Sequence, residues 1–202
     1  MNIDKIISKT SALFIILLFL PMMSLAHFDY SSDKETTFSR GFDGADSYDL
    51  FVDSGLDSNY NNYADIQITD SSNNQVLVNQ NSLGTGINKA QVIITNGSGN
   101  KAYLSQYGTD NTGLIAQDGS GNRALLIQNG ENHEGYIVQT GNDNLALLKQ
   151  GYRNSSIGIE QIGNNNVALV ADFGGSNYNI TQSGGSKIAV FSSMGRNISI
   201  KQ

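Results

Sequence analysis

From Thr95 to Gln202, apolar and polar positions alternate in short runs separated by glycine-rich breaks. The run from Asn122 to Gln128 shows the pattern. Asn122, Ala124, Leu126 and Gln128 fall on one face of an extended chain, and Arg123, Leu125 and Ile127 on the other. Asp118-Gly119-Ser120-Gly121 ahead of it is turn chemistry, because glycine supplies the positive φ of tight turns. The position of Leu126 is filled in the other runs by Leu104, Ile115, Ile137, Leu148, Ile159, Val170 and Phe191, which marks the inward face. The position of Ala124 stays small, at Ala102, Gly113, Gly135, Ala146, Ala168 and Ala189, as two closely packed sheets require. Leu114, Leu125, Ile127, Tyr136, Val138 and Leu147 fall on the outward face and predict apolar surface for lateral packing.

The runs recur at a fixed interval. Gln106, Gln117, Gln128, Gln139, Gln150 and Gln161 are eleven residues apart, and Asn100, Asn122, Asn144 and Asn166 are twenty-two apart, each followed two residues later by alanine. Such a period signals a stacked solenoid. One strand and one turn every eleven residues gives two strands per coil. Residue i then lies over residue i+22, about 4.8 Å along the axis. The predicted fold is all-β: a two-sheet parallel β-solenoid of 22-residue coils, five to six in number. Gln106, Gln128 and Gln150 form one inward ladder. Gln117, Gln139, Gln161 and Gln182 form a second, and the four asparagines a third. Buried amides are costly unless paired, and stacked identical amides pair with one another. Gly97, Gly108, Gly119, Gly130, Gly141, Gly163, Gly174 and Gly184 are the expected turn glycines. Gln80 to Thr95 carries a four-residue insertion if it belongs to the array.

Ahead of the array the chain changes character. Lys5 and Lys9, the apolar stretch from Ala12 to Leu20, and Ser24-Leu25-Ala26 form a secretory signal peptide pattern with cleavage expected after Ala26. Residues 27–68 hold nine acidic and two basic residues, a net −7, without sustained periodicity; like charges favour a mostly disordered leader. The remainder, from Thr69 on, carries eight of each sign. The expected organisation is therefore a signal peptide at 1–26, an acidic leader at 27–68, an irregular first coil at 69–94, and the repeat solenoid at 95–202.

Composition narrows the chemistry. With no cysteine there is no disulfide framework and no thiol nucleophile, and two histidines cannot make a histidine-rich metal cluster. A net charge of −6 argues against a nucleic-acid partner. Gly97-x-Gly99-x-x-Ala102 and Gly119-x-Gly121-x-x-Ala124 match a relaxed dinucleotide fingerprint, but that motif needs a helix behind it and strands are predicted here. His133 stands where the repeat has asparagine, and Glu131 and Glu134 beside it offer at most a weak cation site. Neither G-x-S-x-G nor a recurring Ser, His and Asp grouping is present, so no catalytic residue, cofactor or metal is expected. A β-helical protein that binds or cleaves polysaccharide would need clustered charged residues on one sheet face, and none recurs.

The unit Q-x-G-x-x-N-x-A-x-x-x-Q resembles the curlin repeat over roughly Thr95 to Gln202. The resemblance implies a secreted bacterial subunit of curli, extracellular functional amyloid that supports adhesion and biofilm matrix. It also implies export through the periplasm and an outer-membrane secretion pore with accessory factors. The implied partners are the major curlin subunit, copies of the chain itself and the outer-membrane surface. The chain looks more like the minor, nucleating subunit than the major fibre subunit. Its repeats carry Lys101, Arg123, Lys149 and Arg153, and Asp172 stands where glutamine is expected. The step from Asp172 to Gln182 is ten, and the last unit is short and basic, with Lys187, Arg196 and Lys201. Gln150 is followed directly by Gly151, a further departure from the repeat.

Overall fold

The computed structural model describes residues 62–193 and 195–202. The expected signal peptide, the expected cleavage after Ala26 and residues 27–61 of the expected leader lie outside the described residues. Within them every regular element is a strand: β1 (Asn62–Ser72), β2 (Gln75–Ser82), β3 (Asn88–Ser98), β4 (Lys101–Thr109), β5 (Thr112–Asp118), β6 (Arg123–Glu131), β7 (Glu134–Thr140), β8 (Leu145–Arg153), β9 (Ser156–Ile162), β10 (Val167–Asp172), β11 (Asn177–Ser183), β12 (Lys187–Ser192) and β13 (Asn197–Lys201). Odd-numbered strands form one seven-stranded sheet and even-numbered strands a six-stranded sheet. All pairings are parallel. The chain winds between the two sheets as a β-solenoid of about six coils.

The core is a thin apolar seam. Val92, Ile115, Ile137, Ile159 and Ile180 point in from one sheet, and Val78, Leu104, Leu126, Leu148 and Val170 from the other; all are buried. Parallel registry makes this inevitable once the period is even-handed. A residue stacks on its equivalent, so an apolar position repeated every coil becomes a continuous apolar column.

Two positions read as inward from the sequence are outward. Phe191 is 73% exposed, and Val190 takes the core position beside Val170. Likewise Ala189 lies outside, and Ile188 pairs with Ala168. The cause is coil length. Central coils repeat at 22 residues, as Gln139 over Gln161 shows, but Gln161 meets Gln182 at 21 and Asn166 meets Ser186 at 20. The shortfall falls in the turns Phe173–Ser176 and Gly184–Ser186, so the strands keep their register to the neighbouring coil while the sequence phase slips.

The opposite end is looser. Gln80 meets Gln106 at a spacing of 26 and Asn88 meets Asn111 at 23. The additional residues are housed in the turns 83–87 and 96–99. The strand content also begins earlier than the charge pattern suggests. β1 pairs with β3 from Asn62 onward, so residues 62–68 are strand rather than leader. Asp65, Gln67 and Thr69 take the outward positions there and leave Ala64, Ile66 and Ile68 aligned with the inward Ala90, Val92 and Ile94.

Two of the six apolar positions expected on the outer surface are buried. Leu114, between Gln91 and Tyr136, and Leu147, between Leu125 and Leu169, are covered by the residues stacked above and below.

Candidate functional site

The candidate site is the set of amide columns that run the length of the solenoid. In the six-stranded sheet, each glutamine Nε2 donates to the next Oε1: Gln80 to Gln106 at 2.7 Å, Gln106 to Gln128 at 2.8 Å, Gln128 to Gln150 at 3.0 Å. In the seven-stranded sheet the same bond joins Gln117 to Gln139 at 2.8 Å, Gln139 to Gln161 at 2.9 Å and Gln161 to Gln182 at 2.8 Å. The second Nε2 hydrogen turns inside the coil to a carbonyl, for example Gln139 to Arg123 O and Gln128 to Thr112 O. Each amide thus ties three coils or strands together. All these side chains except Gln80 are essentially inaccessible. A buried primary amide has two donors and two acceptor sites, and an identical neighbour on each side supplies an acceptor to one end and a donor to the other without water.

The asparagines work at the corners. The backbone N–H of Asn100, Asn122, Asn144 and Asn166 donates to the Oδ1 of the residue one coil earlier: Asn74, Asn100, Asn122 and Asn144 respectively. Their Nδ2 groups reach the turn, as in Asn122 to Gly141 O at 2.8 Å and Asn144 to Gly163 O at 2.8 Å. Sequence reading missed a second corner column at the other turn. Asn62, Asn88, Asn111, His133, Ser155 and Ser176 succeed one another there, with Asn111 N donating to Asn88 Oδ1 and His133 N to Asn111 Oδ1. Its signal was weak because three residue types share the column. Gln80 and Asn74 were missed for a different reason, the 26-residue spacing of the first coils.

The turns stack too. Gly97, Gly108, Gly119, Gly130, Gly141, Gly163, Gly174 and Gly184 all have positive φ. At Gly119 a Cβ would come within 2.2 Å of Gly141 O in the next coil, so neither the φ nor the space admits a side chain. The Gly-x-Gly of the dinucleotide-like motif is two left-handed positions of one turn; Asp143 and Asn165 take the second one in later coils. In the coil where Gly151 comes early, Tyr152 occupies the left-handed position at φ 68°.

The columns also dictate what faces them. Gly113 and Gly135 sit opposite glutamines: a Cβ on Gly135 would lie 2.5 Å from Gln150 Oε1 and one on Gly113 3.2 Å from Gln128 Oε1. One rung beyond Gly135 stands Ile157, and one rung beyond Gln150 stands Asp172. The next rung holds Tyr178 and Ser192. A small residue facing a long amide gives way to a large residue facing a short polar one, so the two sides change size in opposite directions.

Asp172 ends the glutamine column of its sheet. Its Oδ2 accepts from Ser155 Oγ at 2.5 Å and Gly174 N at 2.9 Å, while Oδ1 has no partner. Gln150 Nε2 instead donates to the Glu134 and Ser155 carbonyls. At the other end of the second column, Gln117 Oε1 lacks a donor because Ile94 occupies the preceding rung. Burial lowers the pKa of His133, against smaller opposing effects from the Asn129 backbone, the Asp172 charge and the Tyr152 backbone. Burial and then the Asp172 charge push Tyr178 up to about 12. His133 is buried, whereas Glu131 and Glu134 are exposed, so these three do not converge. Among the described residues no cluster of three or more His, Asp or Glu side chains could hold a metal ion.

Two overlapping stretches, residues 108–134 and 125–151, match the family model described as Curlin associated repeat. No curated protein matches the chain, and no solved structure matches it. Over these stretches, residues 108–151 of the 202, the chain is similar to the curlin repeat.

Proposed function

We propose that this chain is a structural subunit of extracellular curli-type amyloid that nucleates polymerisation of a more regular curlin. The carrying observation is the pair of unbroken glutamine columns in parallel, in-register sheets. Where a column runs out to the end of the solenoid, as at Gln80, its terminal amide and the strand edges hold groups that a further rung satisfies. Addition of another solenoid at the first-coil edge continues both sheets and the glutamine column that reaches it at Gln80, which is strand addition on an exposed edge.

The nucleating role rests on the unequal coils. Spacings that run from 26 to 20 residues, Asp172 in a glutamine column, and Ser176 and Ser186 in asparagine columns make poor repeating units but a serviceable template. Adhesion and biofilm-matrix support follow from incorporation into the fibre. Export through the curli pore and contact with the outer-membrane surface follow from the curlin resemblance.

The test uses the mature protein. It is expected to bind thioflavin-type dye, give a meridional reflection near ~4.8 Å, and shorten the lag of a purified curlin of uninterrupted 22-residue coils. A stable helical monomer would sink the solenoid assembly. Fibres that form but leave the second curlin's lag unchanged would refute nucleation.

A further inference from the structure

Resting on that reading, we infer that templating is one-ended: the incoming solenoid docks on the β1/β2 edge through its own last coil, not on the β12/β13 edge. The two ends of the solenoid differ in chemistry. At the first coil, three of the four amide columns are still occupied by amides: Gln80, Asn74 and Asn62. Only the fourth carries an apolar residue, Ile68, in line with Ile94. At the last coil, three columns have lost theirs. Ser192 stands in line with Asp172, Ser186 follows Asn166, and Arg196 follows Ser176.

The direction of the bonds sharpens this. Along each glutamine column, Nε2 of the earlier coil donates to Oε1 of the later one. Gln80 Oε1 therefore needs a donor from a coil placed ahead of it, and none stands there among the described residues. A glutamine of an incoming last coil supplies that donor. By the same rule, the Asn74 backbone N–H needs an asparagine Oδ1 from that coil, as Asn100 N–H finds Asn74 Oδ1. The apolar seam agrees. Ile66 and Ile68 are 44% and 48% exposed at this edge, and partly buried Val76 lines it from the other sheet. The profile across the core there, Ala64 in one sheet and Gln80 in the other, is the small-against-amide pairing of the central coils. Tyr178 against Ser192 is not.

The same comparison says what the occupant must be. A coil like those of β4 to β7, with glutamine and asparagine at the column positions, continues three columns on this edge. The last coil of a second copy would set Ser192, Ser186 and Arg196 against Gln80, Asn74 and Asn62 and continue none of them. The ends of this chain are therefore mismatched to one another, and copies of it do not propagate end to end as readily as they start a regular partner.

Two perturbations test the polarity in the mature full chain. Gln80→Leu removes the column amide of the first coil, and Val190→Ala trims a partly buried core residue of the last coil that lies outside the amide columns. Seeding of a purified curlin of uninterrupted 22-residue coils is followed by lag time against seed concentration. Gln80→Leu is expected to need about tenfold more seed, the equivalent of one lost hydrogen bond of roughly 1.4 kcal/mol, while Val190→Ala seeds like the unaltered chain. The chain has no cysteine, so Thr85→Cys in the first coil and Ser193→Cys in the last can each carry a bulky maleimide adduct. The adduct at residue 85 should abolish seeding and that at 193 should not. Equal losses at both ends, or loss only at the last coil, would overturn the one-ended docking while leaving nucleation intact. An unaltered chain that fails to seed would overturn both.

Discussion

The exchange of core volume between Ile157 and Asp172 can be measured as a coupling energy. Beside the Gln150 rung the facing residue is Gly135, and even a methyl there would sit 2.5 Å from Gln150 Oε1 and 2.9 Å from Leu126 Cδ1. One rung on, Ile157 adds four side-chain carbons where Gly135 has none, and the amide is shortened to Asp172. Asp172→Gln lengthens the side chain with Ile157 still in place, so it overpacks the seam by about 1–3 kcal/mol. Ile157→Gly deletes a fully buried side chain and loosens the strand, at about 3–5 kcal/mol. The double substitution reproduces the Gly135–Gln150 pair and gives Gln150 Nε2 a column acceptor again. It should be less destabilised than the two single costs together by at least ~2 kcal/mol. Guanidinium unfolding of the four proteins, followed by circular dichroism at one concentration, gives the cycle. Additive single effects, with coupling under ~0.5 kcal/mol, would refute volume exchange across the core and leave Asp172 as an isolated substitution.

Gln139→Ala leaves Gln161 Oε1 without its donor and the Arg123 carbonyl without its partner, so a loss of about 2–4 kcal/mol is expected. Thr140→Ala, on the exposed face of the same strand, should cost within ~1 kcal/mol; denaturant midpoints of the two variants compare them directly. Gly119→Ala meets both a φ of 106° and the Gly141 carbonyl, and a loss of more than ~2 kcal/mol with slower assembly is expected, read by unfolding and by dye-binding lag. His133 has a lowered folded pKa, so the unfolded chain binds a proton near its ordinary 6.5 while the folded chain does not. Stability is therefore fully present above that value and declines as pH falls from it toward the folded pKa. His133→Asn should remove this slope, visible as an unfolding midpoint that no longer shifts between pH 7.5 and pH 5.5; an unchanged slope would assign it to other groups.

Much of the solenoid is legible in the linear order of residues, for a physical reason. In a parallel stack each residue's neighbour is its own counterpart one coil away, so a contact becomes a period. The eleven-residue glutamine spacing, the apolar position between Ala124 and Gln128, and the turn glycines all express contacts that recur unchanged along the central coils. Gln182 fits the same logic despite its spacing of 21, because its column partner, Gln161, lies in an otherwise regular coil.

Tertiary structure alone decided what happens where the period fails. Phe191 and Val190 are both apolar and adjacent, and only the shortened turns behind them settle that Val190 faces in. At the first coils Ala64, Ile66 and Ile68 do alternate with Asp65 and Gln67, but the run is short and follows an acidic segment, and pairing with β3 is what fixes Asn62 to Ile68 as strand. The column of Asn88, Asn111 and His133 was hidden because asparagine and histidine side chains meet the same need, an acceptor for the next backbone N–H. The balance of Ile157 against Asp172 crosses from one sheet to the other. A repeat records stacking along the axis, whereas packing across the seam depends on volumes that only the folded coil brings together.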